Sequence, residues 1–183
     1  MLKQVRIYSL AQVGGQVVLV MEEVEGPRLL PVWIGIYEGG AIGMFLAGQK
    51  FPRPLTHDLM LTMLESVGVK VEKITITELR DSTFFAEISL ERNGQKFSID
   101  ARPSDSIALA VRSNCPIFVT EAVFQACPEL LKPITDEELT DFKEKLKTMT
   151  PEDFLKDLKK KETDGGDEGE EGKEGKNRPH EKS

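Results

Sequence analysis

Cysteine is scarce in this sequence: Cys115 and Cys127 are the only two among 183 residues. Their spacing matches no zinc-ligand pattern, so two reduced, mostly buried thiols are expected rather than a disulfide. Long apolar runs are missing as well. The longest near the N-terminus, Val17 to Met21, is far short of the ~20 residues that span a bilayer. Met1-Leu2-Lys3-Gln4-Val5-Arg6 leads into an alternating pattern, not the apolar core of a signal peptide. A cytoplasmic protein with no membrane role is expected. There is no internal repeat, no phosphate-binding P-loop, no dinucleotide fingerprint and no nucleophile elbow.

A basic excess is also absent. Through Lys132 the chain has 13 basic and 15 acidic residues; the remaining 51 carry 11 and 16, and the whole chain stands at −7. Tight nucleic-acid binders draw most of their affinity from neutralised phosphates. This balance excludes strong nonspecific binding and leaves nucleic acid as a transient substrate reached through a local cationic rim.

What is present is 39% apolar composition, enough for one core. Residues 4–10 and 16–21 read as two strands around Gly14-Gly15, and 29–36 as a buried strand. A helix is expected from Tyr37, with Ala41, Ile42, Phe45 and Leu46 on one face. Gly39, Gly40 and Gly43 weaken it and suggest close backbone approach. Thr56 is placed to cap a second helix, with Leu55, Leu59, Met60, Met63, Leu64 and Val67 facing the core.

Residues 69–78 form a strand whose alternation slips between Val71 and Ile74, as at a bulge. Asn93-Gly94 is a strong hairpin turn. Its two-residue loop pairs Leu90 with Phe97, Ile88 with Ile99 and Ala86 with Ala101 on an apolar face. Ser104 is placed to cap a helix that Pro116 ends, Ile117–Val119 form a strand, and Thr120 caps another short helix. Thr135 with Glu138, and Thr150-Pro151 with Asp153, mark two further helix starts, the second with an apolar stripe of Phe154, Leu155 and Leu158. The fold expected is α+β: a mixed or antiparallel sheet with packed helices over 1–132, a helical extension over 133–161, and a disordered acidic tail over 162–183.

Three stretches stand out. They are Leu30-Pro31-Val32-Trp33-Ile34-Gly35 with Glu38-Gly39, then Phe51-Pro52-Arg53-Pro54-Leu55-Thr56-His57-Asp58-Leu59, then Ile99-Asp100-Ala101-Arg102-Pro103-Ser104-Asp105-Ser106 running on to Arg112 and Pro116-Ile117-Phe118-Val119. In this order they resemble the bifunctional nuclease domain family over roughly residues 1–130. The resemblance implies a compact, homo-oligomeric α+β domain and hydrolysis of both RNA and DNA. It supplies no agreed catalytic set.

Phosphodiester hydrolysis needs an activated water, charge stabilisation on phosphate and help for the leaving oxygen. Clustered carboxylates holding a divalent ion such as Mg²⁺ or Mn²⁺ can supply this, and so can His with Arg or Lys; the sequence leaves both routes open. The candidates are Glu38, His57, Asp58, Asp100 and Asp105 for catalysis, and Arg53 and Arg102 for phosphate. Each has a structural alternative. Asp100 faces Glu87 across the hairpin, where Arg102 could neutralise the pair. Ser104 and Asp105 suit a helix start, as do Asp58 and Glu38. His57 is a lone histidine outside the tail, and Trp33 suits a core strand. The rival reading is a non-enzymatic oligomeric interaction or regulatory module.

Overall fold

The computed structural model describes residues 1–133, 136–150, 152–153 and 156. Its strands are β1 (Leu2–Val13), β2 (Gln16–Glu23), β3 (Arg28–Gly35), β4 (Lys70–Arg80), β5 (Thr83–Arg92), β6 (Gln95–Ala101), β7 (Ile117–Thr120) and β8 (Leu130–Leu131). Its helices are α1 (Ile36–Leu46), α2 (Thr56–Ser66), α3 (Pro103–Ser113), α4 (Glu121–Ala126) and α5 (Asp136–Thr148). The strands form one eight-stranded sheet in the order β6-β5-β4-β7-β1-β2-β3-β8. Only the β4–β7 pairing is parallel, so the sheet is mixed and the fold α+β.

β2 is the middle of the core because its apolar run serves both faces. Val17, Leu19 and Met21 join Ile34, Ile42, Ile74, Ile76, Ile107 and Leu109 in the larger cluster. Val18 and Val20 point the other way, onto Leu29, Leu130 and Leu146 of α5. Tyr8 and Phe142 meet edge-on beside them, with ring centroids 6.3 Å apart. A strand covered on both sides reads as a continuous hydrophobic stretch, as this one does.

α3 is the most buried helix, with Ser104, Ser106, Ile107, Ala108, Leu109 and Ala110 all enclosed. Its small residues let α1 and α2 pack close. Gly39 of α1 has a similar role: a Cβ there would come within 2.6 Å of Val17 Cγ2, whereas Gly40 and Gly43 face open space.

Several local expectations are corrected. α2 turns Leu59, Met60, Met63 and Val67 to solvent rather than into the core; Leu61 and Leu64 pack only partly. On α1, Ile42 is buried while Phe45 and Leu46 are exposed. The β5–β6 register is the one expected from Asn93-Gly94, but only its β5 half is buried; Phe97 and Ile99 lie on an open edge. Caps differ too. Thr56 makes no cap bond; the Asp58 carboxylate accepts the Leu55 N–H at 2.9 Å instead. α3 begins with Pro103, whose missing N–H needs no partner at a first helical position. The Thr120 hydroxyl donates to the Thr77 carbonyl at 2.8 Å rather than capping α4.

The strand slip is real, with register shifts in β4 between Val71 and Lys73 and between Ile76 and Glu78. At the second extension start, the Thr150 hydroxyl donates to Asp153 at 2.7 Å and accepts the Asp153 N–H at 3.2 Å. The expected cap at Thr135, the Phe154–Leu158 stripe and the acidic tail lie outside the described residues. Cys115 and Cys127 are free thiols; burial pushes Cys115 above its ordinary range.

Candidate active site

The N-terminal ends of α1, α2 and α3 converge beside the C-terminal end of β6. Between them opens a cleft of about 900 Å³ lined by Glu38, His57, Asp100, Arg102 and Asp105, with Tyr37, Met60, Ile88 and Ile99 as its apolar wall. Five of the seven sequence candidates therefore share one opening.

They are linked in a chain. His57 Nε2 lies 3.3 Å from Asp105 Oδ1. The other oxygen of Asp105 accepts Arg102 Nε at 2.7 Å. Arg102 Nη1 reaches Glu38 Oε1 at 3.1 Å. Glu38 fits there because Gly35 has no Cβ, which would collide with its carboxylate. His57 is 8% exposed, so its ring is held rather than solvated. The Arg102 side chain is 66% exposed, so the guanidinium stands at the mouth while anchored from behind. Pro103 keeps Arg102 extended, with φ −67° and ψ 144°.

Burial raises the Asp105 carboxyl, but Arg102 and His57 outweigh it and hold the group below the usual carboxylate range. Asp105 in turn raises Arg102 above its ordinary value. Asp100 does face Glu87 across the hairpin. Arg102, expected to neutralise that pair, turns instead to Asp105 and Glu38. Among the described residues no ion pair holds Asp100.

Arg53 and Asp58 fall in the adjoining depression, lined also by Phe45, Phe51, Leu55 and Arg112. Asp58 is bound there by Arg112 Nε at 2.6 Å. Burial raises Asp58 as well, and the Leu55 N–H and Arg112 more than reverse it. The same guanidinium donates to the Ala108 carbonyl at 2.9 Å and to the Ala41 carbonyl at 3.1 Å, and stacks 4.9 Å from the Phe45 ring centroid. Arg112 thus ties α1, α2 and α3 together with a side chain only 3% exposed. Sequence reasoning did not single it out. On the flank of an apolar helix face an arginine reads as surface, and its carboxylate lies 54 residues away.

A second ionic cluster differs in being closed. Arg28 forks onto both Glu23 and Glu121, while Arg6 and Lys132 hold Glu22. Among the described residues no group of three or more His, Cys, Asp or Glu side chains is gathered to hold a metal ion. In the cleft, two of the carboxylates are bridged by a guanidinium, an arrangement that does not fit a resident cation. No described helix is long and apolar enough to cross a membrane.

An α+β domain whose helix starts gather His, Asp, Arg and Glu in one open cleft is the class of protein defined so far. The model of the bifunctional nuclease domain matches residues 19–131. A Mycobacterium tuberculosis relative, named only as uncharacterized protein Rv1829, is 39% identical over 152 residues, covering 78% of this chain and 91% of its own length. Bifunctional nuclease 2 of Arabidopsis thaliana is 31% identical over 108 residues, 57% of this chain and 32% of its own length. Bifunctional nuclease 1 of Oryza sativa subsp. japonica is 28% identical over 110 residues, 58% of this chain and 33% of its own length. The chain belongs to the bifunctional nuclease domain family.

Proposed function

We propose that this protein is a nuclease that hydrolyses phosphodiester bonds of RNA and DNA with broad specificity, as a homo-oligomer of the cytoplasm. The observation that carries the reading is the His57–Asp105–Arg102–Glu38 chain in a single open cleft; the plant relatives' names support the choice of reaction.

Asp105 accepts the Nε2 proton of His57, which fixes the tautomer and leaves Nδ1 with the free lone pair. Nδ1 takes a proton from the attacking water as the new P–O bond forms. The imidazolium returns that proton to the leaving oxygen. Arg102 spends Nε on Asp105 and Nη1 on Glu38, and its exposed Nη2 is left to meet the charge building on the phosphoryl oxygens. Glu38 and Asp105 position that arginine. Arg53 contacts a flanking phosphate from the adjoining depression, and Asp58 buttresses α2 beneath it. Asp100 on the cleft wall limits how long polyanionic product stays bound. A chain at net −7 agrees with transient rather than tight binding.

The test compares wild type with H57A/D105N on RNA and single-stranded DNA, each with Mg²⁺, Mn²⁺ or chelator. Loss of a general acid–base should reduce cleavage by about 10²–10⁴-fold. Cleavage that persists in chelator supports the histidine–arginine route, and chelator-sensitive cleavage lost in the variant moves the carboxylates to an ion bound with substrate. Equal cleavage by both proteins overturns the assignment and leaves the interaction-module reading.

A further inference from the structure

A second cavity lies beside the cleft and shares a wall with it. It measures about 300 Å³ and is bounded by Trp33 near the end of β3, Thr83 and Phe84 at the start of β5, and Pro103 and Ser104 at the start of α3. Glu38 and Arg102 line both openings. The arginine that the cleft presents to phosphate thus stands between two chambers.

Ser104 marks the second chamber as a place for a ligand. Buried hydroxyls are almost always hydrogen-bonded, because leaving the bond unmade costs the desolvation of the group. Ser104 is only 6% exposed, yet among the described residues its hydroxyl has no partner and lines the cavity instead. Ser106, two residues on, donates its hydroxyl to the Arg102 carbonyl at 2.9 Å. The first helical bond of α3 also belongs to Ser106, whose N–H donates to the same carbonyl at 3.1 Å, so the Ser104 N–H is left open too. The rim is the β4–β5 turn, where Asp81 and Ser82 take φ of 48° and 61° without being glycine. Such backbone costs energy and gathers at functional edges.

The lining selects the class of ligand. Phe84, Trp33 and Pro103 offer flat apolar surfaces. Among the described residues that line the cavity, Glu38 and Arg102 alone are charged, and they pair with each other at 3.1 Å. A second phosphate would find no spare cation there and a carboxylate close by. A hydroxyl both donates and accepts, so Ser104 suits either kind of polar group on the edge of a base. The volume is at the lower end for small-molecule sites, the scale of one ring system rather than a whole nucleotide.

We propose that this cavity is a nucleobase subsite. When a phosphate meets Arg102 from the cleft, the base of the adjoining nucleotide enters among Phe84, Trp33 and Pro103 and forms a hydrogen bond with Ser104. Stacking and one two-way hydroxyl accept any base, in keeping with broad specificity. The subsite deepens the nuclease reading above and rests on it.

Trp33 is the only tryptophan of the chain, so its fluorescence reports on the cavity without a cleavage assay. Thymidine 5′-monophosphate titrated into the full chain should quench it saturably. Deoxyribose 5-phosphate, which lacks the base, should not. S104A should weaken nucleotide binding about three- to tenfold without lowering Tm, since the hydroxyl it removes bonds to nothing in the free protein. T83F, at an exposed position on the rim, should fill the mouth and weaken binding by at least about tenfold, with unchanged circular dichroism. The subsite is overturned by an absence of saturable quenching, by equal quenching with the sugar phosphate, or by variants that bind as wild type does. If it is overturned while H57A/D105N still abolishes cleavage, the nuclease reading stands without it. The expected quenching pattern in a protein that cleaves neither RNA nor DNA keeps the subsite and removes the reaction.

Discussion

At the scale of single residues, two arginines that look alike in sequence do different work. Arg102 is held at its Nε and reaches outward; Arg112 is sealed inside and spends its donors on three helices. Removing the second leaves Asp58 and two carbonyls short of partners. R112M should therefore cost about 3 kcal/mol in chemical denaturation. It should also alter the response to acid. Asp58 and Asp105 are both held below the ordinary carboxylate range in the fold. As pH falls, the unfolded chain takes up those protons first, so stability declines from about pH 5 downward and is lost as the folded-state values are crossed. R112M removes one of the cations responsible, and its decline over that window should be shallower. A slope equal to that of wild type would show that Arg112 contributes nothing to the ionised state of Asp58.

At the scale of elements, α1 offers a direct comparison of two neighbouring glycines. At Gly40, which faces open space, alanine adds helix propensity; G40A should raise stability by about 0.5–1 kcal/mol. At Gly39 the new methyl meets Val17, and G39A should lower stability by about 1–3 kcal/mol. Thermal unfolding of the two variants distinguishes them, and a stabilised G39A would mean that α1 can move off β2 freely.

The contrast also shows what was legible beforehand. The β5–β6 register could be read because turn chemistry and alternation are local and agree. The bulge in β4 was visible for the same reason. The direction of the α2 stripe was not, since spacing says that Met60, Met63 and Val67 share a face but not whether anything covers it. The caps failed in a similar way: Thr56, Ser104 and Thr120 are good cap types, yet Asp58 and Pro103 served the helix starts and Thr77 drew Thr120 away. In the cleft, each polar residue could be proposed singly. The pairing of His57 with Asp105 spans 48 residues, and that of Arg102 with Glu38 joins two of the three motif stretches. Such pairings depend on how the helices pack, which no local pattern encodes.

At the scale of the whole molecule, the sheet is two antiparallel meanders joined through one four-residue strand. β6-β5-β4 and β1-β2-β3 are each built from chain neighbours, and β7 pairs with β4 on one side and β1 on the other. Hairpins close in microseconds, whereas contacts distant in sequence come late. Each meander can thus take shape before the strand that unites them. V119A, at a residue with no exposed surface, should cost about 2 kcal/mol. The loss should fall on the unfolding rate, with the refolding rate almost unchanged. Equal slowing of refolding would place β7 in the nucleus instead.

Synthesis runs from the N-terminus, so a growing polypeptide carries both hairpin units while it still lacks the clasp between them. Arg102 and Asp105 are translated shortly before that clasp, and Glu38 and His57 belong to the earlier part of the chain. All four residues of the His57–Asp105–Arg102–Glu38 chain are therefore already on the nascent polypeptide when the strand that sets β4 beside β1 is still to come.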